Sequence, residues 1–213
     1  MDAYFSRVEL PPAAMAGGDY GLHQSLWQLF SDGPDRERDF LFHQRSERPS
    51  TCFVVSRRPP QPVAGWTFDT REYRPQLLPG QRLAFALRAN PTVARGREGR
   101  HSARHDVVFD ARRRAEARGA AMSLAEAEQQ AGRDWLERRG EACGFVVEAV
   151  RSTGYERKQI HRRSRGGPPI VVSRLDYEGT LRVADPERLR QALLHGIGPA
   201  KAFGCGLLLV RRI

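Results

Sequence analysis

The segment Asp185–Arg212, DPERLRQALLHGIGPAKAFGCGLLLVRR, decides how the rest of the chain is read. Asp185-Pro186 opens a helix: the carboxylate can cap free backbone N–H groups, and proline is tolerated in a first turn because its missing N–H is not needed there. The helix runs to His195. Gly196, Gly198, Gly204 and Gly206 then punctuate eleven residues, and the apolar run from Gly206 to Arg212 reads as a closing strand. Helix, glycine-rich turn and strand make the last αβ step of a βαββαβ unit. Working backwards, Ile170–Tyr177 and Gly144–Arg151 read as strands. Ser123-Leu124-Ala125-Glu126 is a capping-box sequence that opens a helix to about Arg139, and Asp106–Phe109 is a weak strand.

The earlier half repeats the pattern without repeating the sequence. Ala3–Leu10 is an opening strand ended by Pro11-Pro12. Gly17-Gly18-Asp19 supplies a turn and an N-cap for a helix from Tyr20 to Phe30, with Leu22, Leu26, Leu29 and Phe30 at the spacing of one buried face. Phe40–Gln44, Thr51–Ser56, Trp66–Tyr73 and Gln81–Arg88 read as extended, and a second helix is hard to see between them. The expectation is an α+β chain of two tandem ferredoxin-like (RRM-like) βαββαβ domains. The first covers 1–90, an exposed, mobile basic loop covers 91–104, and the second domain covers 105–213.

Composition narrows the partner. The chain has 213 residues and a formal charge of +10, which points to an acidic partner, most economically nucleic acid. No stretch approaches the roughly 18 consecutive apolar residues of a membrane span, and the N-terminus carries no basic-then-apolar leader pattern. Cys52, Cys143 and Cys205 are odd in number and far apart, which suits a reducing cytoplasm and matches no zinc spacing.

Three groups of residues could carry chemistry. Tyr20, His23 and Trp27 share a helix face about 115° from the leucine face. A histidine there can hold or give a proton near neutral pH and a phenol can hydrogen-bond a phosphate, although spacing alone favours simple packing under a loop. Gly196, Gly198, Gly204 and Gly206, with Lys201 between them, let backbone approach a ligand closely. No Gly-Lys-Ser/Thr makes this a Walker loop, and a helix-hairpin-helix motif would need a second helix after Ala202. Arg157, Lys158, Arg162, Arg163 and Arg165 form a basic run between two strands, either a solvated loop or a hairpin reaching into a groove. The carboxylates are scattered, with no Mg²⁺ cluster, and His43, His101, His105, His161 and His195 form no ligand pair at useful spacing.

Several stretches, kept in order along nearly the whole chain, resemble the CasE-type endoribonucleases of type I-E CRISPR systems. They are Leu22-His23-Gln24 with Leu26-Trp27 and Leu29-Phe30, Arg38-Asp39-Phe40-Leu41-Phe42, Leu87-Arg88-Ala89-Asn90-Pro91, Phe145, and the Gly196–Leu209 block. The resemblance implies two ferredoxin-like domains and cleavage of CRISPR repeat RNA at the 3′ base of its hairpin with no metal or cofactor. It also implies retention of the product within the Cascade complex, alongside the other subunits. By the same resemblance His23 is the catalytic histidine, Tyr20 its neighbour, the Gly196–Gly206 loop lies near the RNA, and the arginine-rich run takes the place of the groove-reading hairpin. A binding subunit that has lost cleavage is an alternative, disfavoured by the presence of both Tyr20 and His23. A DNA-binding repair module is another, disfavoured by the missing helix after Ala202.

Overall fold

A computed structural model describes residues 3–16, 18–31, 38–45, 47–97, 100–160 and 169–213. Strand β1 (Tyr4–Glu9) leads through a short helical turn α1 (Pro12–Met15) to helix α2 (Gly18–Trp27). Strands β2 (Phe40–Gln44), β3 (Thr51–Ser56) and β4 (Thr67–Glu72) follow. They form an antiparallel sheet in the order β2-β3-β1-β4. Alternation drives the layering: Val8, Phe40, Phe42, Cys52 and Val54 point to one side and bury against Leu22, Leu26, Leu29 and Phe30. Each such side chain is worth roughly 1.5–3 kcal/mol when fully buried. The helix begins at Gly18, so Asp19 lies inside it and is not its N-cap. Beyond Trp27 the chain tightens, with Leu29 N–H on Leu26 O and Phe30 N–H on Trp27 O, which keeps Leu29 and Phe30 in the core.

The second half contains β5 (Arg82–Ala89), a hairpin of β6 (Thr92–Arg97) and β7 (Arg100–Asp106), and helices α3 (Val107–Glu116) and α4 (Leu124–Cys143). Strands β8 (Phe145–Ile160) and β9 (Ile170–Val183), helix α5 (Pro186–His195), a 3-10 turn at Lys201–Phe203 and β10 (Leu208–Arg212) complete it. Its sheet runs β10-β5-β9-β8. Counting strands within each half, both sheets have the order fourth, first, third, second, the ferredoxin-like arrangement. The first half lacks the second helix, and its described residues between β3 and β4 cross without one.

Three expectations are corrected. Arg82–Ala89 is the first strand of the second sheet, paired with both β9 and β10. The sheets therefore divide the chain between β4 and β5 and not at residue 90. Leu83, Phe85, Leu87 and Ala89 all bury in the second core, a pattern that would serve either half until a partner is known. The basic 91–104 segment is largely paired as the β6–β7 hairpin and is not a loop. Asp106–Phe109 starts a helix because the Asp106 carboxylate accepts from Phe109 N–H at 2.8 Å and caps α3. The capping box of α4 is present in full, with Glu126 N–H on Ser123 Oγ and Ser123 N–H on Glu126 Oε2.

Candidate active site

Helix α2 places His23 over the aromatic layer that covers its own sheet. The imidazole packs against Trp27 at 6.0 Å, Phe40 at 6.1 Å and Phe42 at 6.5 Å between ring centroids. It is half-buried, and Nδ1 is enclosed with no hydrogen-bond partner among the described residues. Burial holds its pKa below the ordinary imidazole value, and the Arg38 guanidinium lowers it further. Tyr20, one turn earlier, accepts a hydrogen bond from the Gln24 amide at 3.1 Å. The Tyr20 hydroxyl is thus engaged along its own helix and not with His23.

Arg38 acts on this imidazole, and Lys201 in turn acts on Arg38. Arg38, just ahead of β2, is half-buried, its pKa is lowered by burial, and its Nη1 has no partner among the described residues. Lys201 arrives from the other half of the chain on the 3-10 turn; burial and then Arg38 lower its pKa. The neighbouring Asp39 carboxylate is engaged by Arg58 at 3.2 Å. Beside these groups lies a cleft of about 350 Å³ lined by Arg38, Arg57, His195 and Lys201. Arg57 Nη2 approaches His195 Nε2 at 3.4 Å, and His195 Nδ1 lies 3.0 Å from Gln191 O. A proton on Nδ1 satisfies that carbonyl and leaves Nε2 to accept from Arg57. Desolvated cations that repel one another gain most from an external anion, and the cleft is therefore suited to phosphate.

The glycine-rich loop explains how Lys201 gets there. A Cβ on Gly196 would meet the Leu41 side chain at 3.0 Å, and a Cβ on Gly204 would meet Phe42 Cε2 at 3.0 Å. Leu41 and Phe42 are consecutive on β2 and face opposite ways, so the loop straddles the edge of the first sheet. Gly198 lies against Trp135 of α4, and Gly206 N–H donates to Arg88 O at 2.7 Å. Gly196 N–H donates to Ala192 O, and Gly204 and Gly206 are buried. All four glycines are closely packed, the N–H groups of Gly196 and Gly206 are taken up within the protein, and the loop carries Lys201. The three-residue 3-10 turn is followed by β10, so no second helix completes a helix-hairpin-helix.

Strands β8 and β9 continue pairing out to Ile160 and Ile170. Arg157 and Lys158 lie on β8 itself, Arg157 over the exposed Phe109 ring at 5.5 Å and Lys158 3.1 Å from Glu156. Arg162, Arg163 and Arg165 fall outside the described residues. At the base of this hairpin Arg88 grips Asp176 through two hydrogen bonds of 2.7 and 2.9 Å. Arg174 donates to Phe203 O at 3.0 Å, tying the hairpin to the turn that carries Lys201. A second polar cleft of about 220 Å³ is lined by Gln44, Arg88, Glu156, Lys158, Arg174 and Asp176.

Sequence reasoning missed Arg38, Arg57, His195 and Arg174 as site residues. Only Arg38 carried a signal, its place in the Arg38–Phe42 stretch. No spacing along the chain could bring residues 38, 57, 195 and 201 to one cleft. Among the described residues no group of three His, Cys, Asp or Glu could hold a metal ion, and no helix is long and apolar enough to cross a membrane.

Comparison with known proteins agrees with this architecture. The family described as CRISPR associated protein matches residues 3–212. The CRISPR system Cascade subunit CasE of Escherichia coli K12 is 35% identical over 199 residues, covering 89% of each chain. The CRISPR-associated endoribonuclease Cse3 of Thermus thermophilus is 28% identical over 234 residues, covering 97% of this chain and 99% of that one. The structure of Thermus thermophilus Cse3 bound to an RNA representing a pre-cleavage complex superposes with a TM-score of 0.74 at 27% identity, over 99% of this chain and 100% of that chain.

Proposed function

Since this chain belongs to the CRISPR-associated protein family that includes CasE and Cse3, we propose that it binds the stem-loop of CRISPR repeat RNA and cuts it at the 3′ base of the hairpin. The observation that carries the reading is the half-buried His23 imidazole under the influence of Arg38, which together with Lys201 from the other half of the chain lines a cleft large enough for phosphate.

RNA carries its own nucleophile in the 2′-OH beside the scissile phosphate. Holding that oxygen in line with the leaving 5′ oxygen removes several kcal/mol of barrier. His23, kept largely neutral at pH 7 by burial and by Arg38, moves the proton, a contribution of roughly 10²–10⁴-fold. Arg38 and Lys201 face the phosphate and stabilise the charge that builds on its oxygens. Tyr20 stands one turn from His23, where its hydroxyl can hold a neighbouring phosphate or ribose. The β8–β9 hairpin, with Arg157 and Lys158 on its strand and Arg162, Arg163 and Arg165 beyond, grips the stem through its phosphates. The products are a 2′,3′-cyclic phosphate and a 5′-OH. The protein keeps the hairpin afterwards and so serves as a subunit of the surveillance complex. Cys52, Cys143 and Cys205 form no disulfide, which supports a cytoplasmic location.

The test is a repeat hairpin in which only the ribose 5′ to the scissile phosphate is 2′-deoxy. Binding is expected to survive, because affinity is spread over the stem, and cleavage to vanish. Cutting of the deoxy substrate would make external water the nucleophile and overturn the mechanism. His23→Ala is expected to bind normally and cut at least about 10²-fold more slowly.

A further inference from the structure

The two sheets turn their helix-free faces toward each other. At one end these faces close on Leu41, Val55 and Leu207. At the other they part around a cleft of about 530 Å³, on the opposite side of the first sheet from α2 and His23. On one wall Phe5 and Phe53 stack at 5.6 Å with 30° between their planes, and Tyr73 stands 5.6 Å from Phe5. Arg71 lies over the Phe5 ring at 5.5 Å and Arg45 over the Phe53 ring at 6.0 Å. The facing wall is low, built from Ala84, Ala86 and Gly179, with Arg211 and Glu178 also lining it.

Phe5 and Phe53 belong to β1 and β3, the two central strands of their sheet. Aromatic rings on the central strands of a four-stranded α+β sheet are the platform on which RRM-type domains stack unpaired bases. Such stacking tolerates any base, since each has a π face, and is reinforced by arginine over the ring. The volume lies within the range of small-ligand sites. A bare apolar cleft would suit a peptide equally well. Here guanidinium groups lie against both stacked rings, and Arg71 and Arg211 line the cleft against the one carboxylate of Glu178, which favours bases followed by phosphates.

We propose that this cleft is a second RNA site, which holds a short run of unpaired nucleotides flanking the hairpin. Their bases stack on Phe5 and Phe53, and Arg71 and Arg211 meet their phosphates. The proposal rests on the RNA-processing reading for the origin of the strand, but the platform chemistry is independent of catalysis.

The full-length protein would be titrated with a blunt repeat hairpin and with the same hairpin carrying about eight unpaired nucleotides on its 5′ side. A flank containing 4-thiouridine would be crosslinked and the modified peptides mapped. The flank is expected to tighten binding at least about 10-fold, with crosslinks on the β1 and β3 peptides. Phe5→Leu with Phe53→Leu is expected to abolish the flank's gain and leave blunt-hairpin binding and cutting unchanged. Arg71→Gln should remove part of the gain if the double variant does not fold. A flank that adds no affinity, or crosslinks confined to other strands, would overturn the proposal. So would a double variant that keeps the flank's gain but no longer co-purifies with the other subunits of the complex, since the cleft would then be a protein interface. Failure of the wild type to bind or cut the blunt hairpin would instead count against the catalytic reading, and flank-dependent crosslinking would still report on the cleft.

Discussion

Gly204 stands so close to Phe42 that a Cβ at that position would come within 3.0 Å of the ring. Gly204 also has φ +74°, and the same ring stacks on His23. One aromatic side chain thus sets both the height of the imidazole and the seat of the turn that carries Lys201. Gly204→Ala adds left-handed strain of roughly 1–2 kcal/mol and pushes the ring. It should lower stability by about that amount in urea unfolding. The single-turnover cleavage rate should fall at least about 10-fold, because small displacements at a reacting centre are costly. A stable variant that cuts at the wild-type rate would separate the turn from the chemistry.

Arg38 and burial act on His23 in the same direction, lowering its pKa. The pH midpoint assigned to His23 by NMR in the free protein should therefore lie below the ordinary imidazole value. Arg38→Gln removes the repulsion and leaves burial in place, so the midpoint should move up while staying below that value. A midpoint that does not move would mean the guanidinium does not face the ring in solution.

The cations around the cleft repel a divalent ion. Cleavage of the repeat hairpin is expected to proceed at the same rate in EDTA as in Mg²⁺. Loss of activity in EDTA that Mg²⁺ restores would require a metal in the mechanism.

His43 is partly buried on β2, and desolvation, with Arg88 and Arg45, lowers its pKa to about 4 against the raising effect of Asp176. The imidazole is neutral in the folded protein and free to protonate when unfolded. Its contribution is fully present above about pH 6.5 and is lost progressively as pH falls toward about 4, a difference on the order of 3 kcal/mol. Across this window wild type should lose stability relative to His43→Leu as pH falls, as read from unfolding midpoints. Parallel curves would show that His43 titrates normally.

Neutralising Arg157, Lys158, Arg162 and Arg163 together should weaken hairpin binding and reduce the slope of log K against log salt by about one for each phosphate that the variant no longer neutralises. An unchanged slope would leave the hairpin as a solvated projection.

Much of the architecture was legible in local pattern. Phe40–Gln44 and Thr51–Ser56 are strands at the residues expected. Leu22, Leu26, Leu29 and Phe30 bury as their spacing requires, and Ser123 and Glu126 cap α4 through one reciprocal pair of hydrogen bonds. These features depend on neighbours within a few residues, where side-chain periodicity and capping chemistry act. The assignment of Arg82–Ala89 to the second sheet does not, since an alternating strand fits any sheet with a free edge, and only its pairing with β9 and β10 decides. The site divides the same way. His23 could be singled out on its helix, whereas its lowered pKa depends on burial among Trp27, Phe40 and Phe42 and on Arg38, and Lys201 reaches Arg38 only because a glycine-rich loop more than 170 residues later packs on Leu41 and Phe42. Burial and charge at a site are sums over everything that packs there, and in this protein Lys201 joins Arg38 only because two segments far apart in the chain pack together.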